Sequence, residues 1–471
     1  MLFNSLEFFS FLVVVFTAYW AVRGRRAQNV LLLVASYVFY ACWDWRFLGA
    51  LVGISAIAHI CAGLASAGPR GRGRYGVWTI CVVGLGALGL FKYFNFFVDS
   101  FAALSASIGF RWSPVMLKLG LPMGISFFTF KAISYVVDCY KGKIEPSKSW
   151  LETFLYVGFF PQIAAGPIDR ATNLLPQFAV ARTFDFDRAS RGLAQIAYGL
   201  FKKMVVADTL CMYVDKAFAN PELYGSIACL IAAIFYSIQI YCDFSGYSDV
   251  ACGTCRLLGI EPMLNFDRPY LSRTFSEFWR RWHISLSFWF RDYVYIPLGG
   301  SRVPFWKIVR NLWIVFLLSG LWHGAAWTFV IWGGLHALFQ TFGLMKRKMY
   351  RNAPPSQKLP HIVLDVAIVN LGVTFAWIFF RAHSFMELKT FMSVLFGGFW
   401  KTTLMGLCAG LGPMVLLVCC VSILLLGLSY LSPRDCAFKS IRGRFAFTLA
   451  CAAAVLVLGI PAGGEFIYFQ F

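Results

Sequence analysis

His323 lies in a long apolar run, where an ionisable side chain is costly and usually faces a polar cavity or a partner. An imidazole titrates near neutral pH, so it can take a proton from an alcohol and return it to a leaving group. A hydroxyl that attacks a thioester needs such a base. His323 is therefore the first candidate for chemistry in this chain.

The backbone around His323 is predicted to break. The 35 residues from 311 to 345 contain no Lys, Arg, Asp or Glu, whereas one straight membrane span needs about 20 residues and two need about 40. Gly320, Gly324 and the Gly333–Gly334 pair punctuate this run. Irregular backbone at membrane depth persists only where protein or a water-filled cavity shields it. We expect two short helices broken near His323, with Trp322 beside it.

The other five histidines differ in their surroundings. His283 lies at the edge of the apolar face of a predicted helix, and His336 follows the Gly333–Gly334 pair, so both are possible secondary catalytic residues. On an unbroken helix His336 would lie several turns from His323, so a joint site requires the break. The remaining three are interpreted as structural: His59, His361 and His383.

No metal site is predicted. The sequence contains no H-x-x-H or H-E-x-x-H pair, and no acidic residue is close in sequence to His323 or His336. The lone Cys252-Gly-Thr-Cys255 motif is a weak zinc signal without a second pair. The fourteen cysteines lie mostly in apolar segments, where cysteine packs as a small hydrophobic residue, so no disulfide framework is predicted.

Composition predicts an all-α polytopic membrane bundle in one domain covering residues 1–471. Charged residues make up 14% of the chain, against about 25% in soluble domains, and the mean hydropathy is +0.67. We expect about 10 to 12 spans with broken or re-entrant helices. The clearest spans are 3–22, 29–43, 47–66, 76–97, 223–241, 361–380, 413–431 and 445–460, and interrupted apolar stretches lie at 117–135, 150–168 and 192–214.

The net charge of +20 is distributed as loop charge rather than as a nucleic-acid surface. Basic residues follow or precede spans, as the positive-inside rule describes, and this bias predicts that both termini are outside. The first span, with Glu7 and no basic leader region, is expected to be retained rather than cleaved as a signal peptide. The basic clusters are Arg23, Arg25 and Arg26; Arg70, Arg72 and Arg74; Lys346, Arg347, Lys348 and Arg351; and Arg434, Lys439, Arg442 and Arg444.

Polar residues interrupt three apolar stretches. Ser126 follows the Leu-Pro-Met-Gly motif at 121–124, which indicates the start of a broken or re-entrant helix. The stretch 159–169 carries two prolines and a glycine, and the stretch 236–249 carries Gln239 and Asp243. Such side chains either line a cavity or form hydrogen bonds between helices.

The longest extramembrane segment lies between Cys252 and Arg310, and its interfacial part, about 261–302, mixes polar with aromatic side chains. Thr274 and Glu277 match a capping box that predicts a helix start, and an apolar stripe continues to residue 289. We expect one amphipathic helix, in the membrane interface or against the bundle. Arg280 and Arg281 on this helix attract a phosphate-bearing donor or anchor the helix to anionic lipid.

These motifs together resemble the membrane-bound O-acyltransferases, in the branch that contains the alginate O-acetyltransferase membrane subunit and the teichoic-acid D-alanyltransferase. Lys131 departs from the alginate-type block, where a glutamine is expected. The matching blocks are 121–135 with Asp138 and Tyr140, 160–168, 241–249, 278–286 with 291–293 and 296–300, 319–325, 377–382 and 466–471.

The resemblance implies a helical bundle around a central funnel in a bacterial inner membrane. It implies that His323 is catalytic and that a second functional histidine is best matched by His283. It also implies an acyl group that enters from the cytoplasm, from acetyl-CoA or a similar thioester, without a bound cofactor. The acyl group is passed to an acceptor outside, through extracytoplasmic partner proteins.

We therefore predict a membrane O-acyltransferase that acetylates an exported polysaccharide such as alginate. His323 acts as general base or positions the acyl thioester, and Trp322, Gln239, Asp243 and Ser126 line the funnel. One alternative is a teichoic-acid D-alanyltransferase of the same fold. The other is a transporter or channel without acyl chemistry, although the paired broken helices typical of transporters have no second copy here.

Overall fold

The structure is a computed structural model of the 471-residue chain. It describes residues 1–68, 71–110, 112, 115–117, 120–163, 166–350, 357–397 and 440–460, and the isolated positions 419, 421, 423, 424, 427 and 466. Within these ranges the regular elements are helices and no strand occurs, in agreement with the all-α prediction. The chain divides into two compact units, Met1–Gly192 with Thr254–Met263 and Leu193–Gly253 with Leu264–Phe471. A single domain over 1–471 stays a prediction.

The first unit is organised around α3, which packs against α4, α6 and α7. The face of α3 that is buried carries small and apolar side chains, which let neighbouring helices approach closely. Its helices are α1 (Leu6–Ala21), α2 (Arg25–Asp44), α3 (Leu48–Ala65), α4 (Gly73–Leu88), α5 (Phe94–Ser107), α6 (Ile125–Tyr140), α7 (Trp150–Gly158), α8 (Phe160–Ile163) and α9 (Ala171–Phe178).

The second unit contains the helices that carry the three candidate histidines. A helix α10 (Phe186–Leu200) begins in the first unit and ends in the second, and the residues of α12 from Thr254 belong to the first unit. The other helices are α11 (Asp208–Ala219), α12 (Pro221–Leu257), α13 (Phe275–Arg281), α14 (Ile284–Phe290), α15 (Phe305–His323), α16 (Trp327–Met349), α17 (Leu359–Arg381), α18 (Phe385–Gly397) and α19 (Ile441–Leu458).

The described helices include 7 that are long and apolar enough to cross a membrane. Five of them overlap predicted spans, and of these Arg25–Ala65 covers two predicted spans in one continuous stretch. Phe305–His323 and Trp327–Met349 correspond to the predicted broken pair, and the predicted span 3–22 corresponds to the shorter apolar helix Leu6–Ala21. The chain is therefore a polytopic membrane protein. The predicted span at 413–431 lies outside the residues that the structure describes, so the total of about 10 to 12 stays a prediction.

The predicted break at His323 is confirmed. Helix α15 ends at His323 and α16 begins at Trp327, but the two helices have 19 and 23 residues and are longer than expected. They touch backbone to backbone, because an added Cβ at Gly333 would lie 2.2 Å from the carbonyl oxygen of Phe316. Gly324 leaves room for a ring, since a Cβ there would lie 2.1 Å from the side chain of Phe329.

The prediction of one continuous amphipathic helix from residue 275 to 289 is wrong. Thr274 caps α13 as predicted, with its hydroxyl accepting a hydrogen bond from the Glu277 N–H at 3.1 Å. The helix then ends at Arg281, and His283 adopts the left-handed backbone conformation with φ of 42° before α14 begins. The left-handed conformation is costly for a residue with a side chain, and Asn265 offsets that cost through contacts described below.

A buried ion group joins the segment after α10 to α12 in the second unit. A π-helix occupies Phe201–Ala207, and the Lys203 ammonium contacts the carboxylates of Asp208 at 2.8 Å and Asp243 at 2.7 Å. All three side chains are buried. Lys202, on the same π-helix, contacts Asp249. Buried charges are tolerated only when paired in this way.

The first unit holds a second buried polar chain, which begins at Lys131. Its ammonium donates to the side-chain oxygen of Gln162 at 3.0 Å, and the Gln162 amide donates to Asp169 at 3.3 Å. Asp169 also accepts from the N–H of Met263 at 3.0 Å. Lys131, the position that departs from the alginate-type block, is thus fixed by hydrogen bonds inside the unit.

Candidate active site

His323 closes α15 and lies among aromatic rings. The Trp322 and Trp332 rings each lie 4.9 Å from its imidazole, centroid to centroid, and the Phe380 ring lies 5.5 Å away. Only 2% of the residue surface is exposed. The terminal turn of α15 and the glycine that follows it place the imidazole at the break instead of on a helix face.

His283 is oriented by Asn265. Its Nδ1 lies 3.0 Å from the side-chain oxygen of Asn265, which also accepts a hydrogen bond from the Ser285 hydroxyl at 2.9 Å. The Asn265 amide donates to the Ser248 hydroxyl at 2.8 Å, with the side-chain oxygen turned toward His283. In this orientation of the amide the Nδ1 of His283 donates to Asn265, and the Nε2 carries the lone pair.

The backbone of Asn265 also fixes the chain next to His283. The N–H of Ile284 donates to the carbonyl oxygen of Asn265 at 2.9 Å, which fixes the chain directly after the left-handed His283. Burial lowers the pKa of His283 to about 3, because the charged imidazolium loses its hydration. The imidazole therefore remains neutral at cellular pH, and the strained backbone marks a candidate functional position.

His336 has the opposite tautomer. The indole N–H of Trp279 can only donate, and it lies 3.2 Å from the Nδ1 of His336. The Nδ1 therefore carries the lone pair and the Nε2 carries the proton. His336 is fully buried on α16.

Two tryptophans bring the three candidate histidines together. The Trp322 ring lies 6.0 Å from that of His283 and 4.9 Å from that of His323. The Trp332 ring lies 4.9 Å from His323 and 4.9 Å from His336. These five residues form one group, which we call the imidazole–indole cluster, with His323 at its centre. The break between α15 and α16 makes this arrangement possible, as the sequence required.

The polar residues predicted to line a funnel have separate surroundings. Gln239 and Asp243 lie one turn apart on α12 in the second unit and are buried. Asp243 is engaged by Lys203, so it belongs to the buried ion group. Ser126 is buried in α6 of the first unit. Lining of a funnel by these residues stays a prediction.

The two arginines predicted to attract a donor differ in their contacts. Arg281 forms an ion pair with Glu277 at 2.6 Å, one turn earlier on α13. Arg280 is exposed and donates to the carbonyl oxygen of Ser276 at 3.2 Å. An exposed guanidinium suits a phosphate-bearing molecule, so Arg280 is the better placed of the two.

Sequence reasoning missed Asn265 and Trp332. Asn265 lies 18 positions before His283 in the chain. A residue that orients a histidine can lie at any distance from it in the sequence, so no motif identifies it. Trp332 lies on an apolar helix face, where a tryptophan is usually interpreted as a residue of the hydrophobic core. Its spacing of four from His336, one helical turn, is the signal that would have placed it beside the imidazole.

The cluster offers base and donor chemistry in one apolar enclosure. His283 presents a neutral imidazole with a lone pair at Nε2, and His336 presents an N–H at Nε2. Indole and phenyl rings surround His323, and electrostatic interactions strengthen where water is excluded. Such an arrangement is suited to proton transfer during attack on a carbonyl carbon.

Comparison with known proteins identifies relatives that are acyltransferases. The sequence pattern of the membrane-bound O-acyltransferase (MBOAT) family matches residues 147–386. The probable alginate O-acetylase AlgI of Pseudomonas aeruginosa is 39% identical over 407 residues, which cover 85% of this chain and 76% of that protein. The peptidoglycan O-acetyltransferase of Helicobacter pylori is 34% identical over 438 residues, which cover 84% of this chain and 79% of that protein.

A more distant similarity covers only part of the chain. The teichoic acid D-alanyltransferase of Bacillus subtilis is 30% identical over 236 residues, 46% of this chain and 58% of that protein. The family match includes His283, His323 and His336, so the imidazole–indole cluster lies inside the region shared with acyltransferases. The chain belongs to the membrane-bound O-acyltransferase family and is an O-acyltransferase.

Proposed function

We propose that this protein transfers an acetyl group from a cytoplasmic thioester, such as acetyl-CoA, to an exported polysaccharide. The observation that carries the proposal is the imidazole–indole cluster, in which His323 contacts two indoles and each indole also contacts one further imidazole. The AlgI and peptidoglycan O-acetyltransferase relatives described above each cover more than four fifths of the chain and are named for O-acetyl transfer.

In this proposal His323 acts as the general base. It takes the proton of an acceptor hydroxyl while the hydroxyl oxygen attacks the carbonyl carbon of the thioester. The new carbon–oxygen bond forms, the carbon–sulfur bond breaks, and the proton passes to the departing thiolate. His283, which stays neutral, accepts a hydrogen bond at Nε2 and helps to hold the acceptor. An alternative role for His323 is to position the thioester.

The proposed direction of transfer is supported by the charge bias of the loops. Both termini are proposed to lie outside a bacterial inner membrane, with the basic clusters on the cytoplasmic side. Arg280 is exposed and is proposed to attract the phosphates of the donor. Partner proteins outside the membrane are proposed to deliver the acetyl group to the polymer. Together these assignments describe acyl entry from one side and release on the other.

The acceptor is proposed to be a polysaccharide of the alginate type, with peptidoglycan as the second candidate. The alginate O-acetylase similarity favours the first, and the peptidoglycan O-acetyltransferase similarity favours the second. The D-alanyltransferase similarity covers less than half of this chain, which makes a D-alanyl donor the weaker alternative.

The proposal is tested by the acetyl content of exported polysaccharide and peptidoglycan in cells that carry His323→Ala. We expect acetylation to fall by on the order of 100-fold, at unchanged protein level in the membrane. His361→Ala is the control, because His361 is exposed at the start of α17, and it should retain wild-type acetylation.

Two outcomes would reject the proposal. Wild-type acetylation in a well-expressed His323→Ala protein would remove the catalytic role of His323. Flux of an intact solute through vesicles that contain the purified protein, without acyl transfer to any polymer, would favour a transporter instead.

A further inference from the structure

Three neighbouring rings in the second unit carry N–H groups that no described residue accepts. They are the Nε2 of His336, the Nε1 of Trp332 and the Nε1 of Trp377. The Trp332 ring lies 4.9 Å from that of His336 and 5.6 Å from that of Trp377, and the His336 and Trp377 rings lie 6.3 Å apart. We call this group the donor triangle.

Each member of the donor triangle can only donate. An indole nitrogen has no lone pair to offer. The Nε2 of His336 carries the proton because Trp279 already donates to its Nδ1 at 3.2 Å. A molecule that satisfies all three groups must therefore be a hydrogen-bond acceptor, such as a carbonyl oxygen or an anion, and an ammonium group is excluded.

Burial makes three unsatisfied donors in one place unusual. His336 and Trp332 are 0% exposed and Trp377 is 1% exposed. Buried donors in native proteins nearly always have partners, and a donor without one calls for an explanation such as a catalytic role or a bound water or ion. Because the surrounding side chains are aromatic, the site favours a hydrogen-bond acceptor that is otherwise apolar.

The donor triangle adjoins the proposed base. The His323 ring lies 4.9 Å from the Trp332 ring and 5.5 Å from the Phe380 ring, and the Phe380 ring lies 5.2 Å from that of Trp377. An oxygen bound by the triangle would thus be next to the imidazole that takes the proton. Donors aimed at a developing oxyanion are among the largest contributions to acyl-transfer catalysis.

We infer that His336, Trp332 and Trp377 bind the carbonyl oxygen of the acyl group and stabilise the negative charge that it gains during transfer. This inference rests on the proposed function and adds the residues that hold the electrophile. It assigns His336 a donor role, whereas His323 and His283 serve as acceptors of protons or hydrogen bonds.

The test measures whether these donors bind a carbonyl oxygen, without requiring turnover. Full-length protein in lipid nanodiscs is titrated by calorimetry with two unreactive relatives of acetyl-CoA. Acetonyl-CoA keeps the carbonyl group, and S-propyl-CoA replaces it with a methylene of similar size. We expect wild-type protein to bind the ketone at least about 10-fold more tightly than the thioether, because buried donors left unpaired penalise the thioether.

Variants assign this preference to the triangle. Trp332→Phe/Trp377→Phe keeps both aromatic rings and removes two N–H groups, so the preference should fall below about threefold. Trp20→Phe is the matched control, because its indole already donates to the carbonyl oxygen of Leu257 at 3.1 Å in the first unit. It should keep the full preference. The single variants are measured as well, and each should lose about half of the preference on a logarithmic scale.

The outcomes separate the inference from the proposed function. Equal binding of ketone and thioether by the wild type, or an unchanged preference in both single variants, overturns the inference and leaves acetyl transfer by His323 standing. If the wild type binds neither ligand and acetylates no polymer, the proposed function has failed, and the inference fails with it.

Discussion

The Nδ1 atom of His283 lies 3.0 Å from the side-chain oxygen of Asn265, and the main chain of Asn265 accepts a hydrogen bond from the next residue, Ile284, at 2.9 Å. One asparagine therefore fixes both the tautomer of the imidazole and the left-handed turn that presents it. The two residues act as a unit, although 18 positions separate them in the chain.

Asn265→Ala should lower kcat for acetyl transfer by on the order of 100-fold, because a misplaced catalytic group loses the benefit of orientation. KM should change by less than about threefold, since the donor site is retained. Ser285→Ala is the graded control, because it removes a hydrogen bond to Asn265 but leaves that of His283 in place. Equal effects of the two variants in a steady-state assay would contradict the orienting role of Asn265.

Acid should destabilise the protein partly through His283. Burial lowers the pKa of this imidazole from its ordinary value of 6.5 to about 3 in the folded protein. Between these two pKa values the unfolded chain binds one more proton at His283 than the folded chain does. The contribution of His283 to the free energy of unfolding is therefore fully present above pH 6.5 and decreases as the pH falls below it. The loss is about 1.4 kcal/mol for each pH unit.

His283→Asn removes this proton uptake and keeps the backbone, because asparagine tolerates the left-handed conformation. We expect the melting temperature of the wild type in nanodiscs to fall more than that of the variant between about pH 7.5 and 5.0. Parallel losses in the two proteins would show that His283 does not take up a proton on unfolding in this range.

Gly333→Ala should destabilise the α15–α16 pair. The new methyl group would lie 2.2 Å from the carbonyl oxygen of Phe316, so the two backbones must separate. We expect a cost of about 1–3 kcal/mol, typical of overpacking, measured by thermal unfolding of purified protein.

Gly343→Ala provides the comparison on the same helix, because no atom lies within 4 Å of a Cβ built there. It should be neutral or stabilising by up to about 1 kcal/mol, as expected for replacing glycine inside a helix. If Gly333→Ala were equally harmless, the close backbone contact would be refuted.

Lys203→Met should be strongly destabilising, because it removes the ammonium that the buried carboxylates of Asp208 and Asp243 share. Breaking a buried ion group on one side costs about 3–5 kcal/mol. Lys216→Met, at an exposed position of α11, should stay within about 0.5 kcal/mol.

The triple variant Lys203→Met/Asp208→Asn/Asp243→Asn tests the cause of this loss. If the loss comes from uncompensated charge, neutralising the carboxylates should restore part of the melting temperature and of the yield in membranes. A triple variant no more stable than Lys203→Met would point to packing of the lysine stem instead.

The sequence predicted the break at His323 because two independent signals agree there. A charge-free run too long for one span and too short for two, combined with glycines, leaves few other arrangements. The same glycines permit the backbone contact between Gly320 and Gly333, which sets how near His336 comes to His323.

The turn at His283 could not be predicted in the same way. The apolar stripe from Phe275 to Trp289 continues across the turn, because side chains on both sides of it face an apolar interior. Hydrophobic periodicity predicts which residues are buried, but it does not predict a left-handed backbone conformation at a single residue. Asn265, whose hydrogen bonds stabilise the left-handed conformation of His283, is distant in sequence. Its role is therefore visible only in the folded chain.

The buried lysines were missed for a related reason. Lys202 and Lys203 interrupt an apolar stretch, and a charge in such a place is usually taken as the end of a span. Besides Asp208, their partners are Asp243 and Asp249 on α12, some 40 residues later, and the sequence alone favours Asp243 as a cavity residue. Pairing of charges across helices depends on packing, which a single sequence does not encode locally.

Helices α15 and α16 meet without any side chain between Gly320 and Gly333. Because no side chain lies at this crossing, the backbone contact itself sets the spacing between the end of α15, which carries His323, and the part of α16 that carries His336. In the proposed function, the base and the hydrogen-bond donor are therefore carried by one closely packed pair of helices.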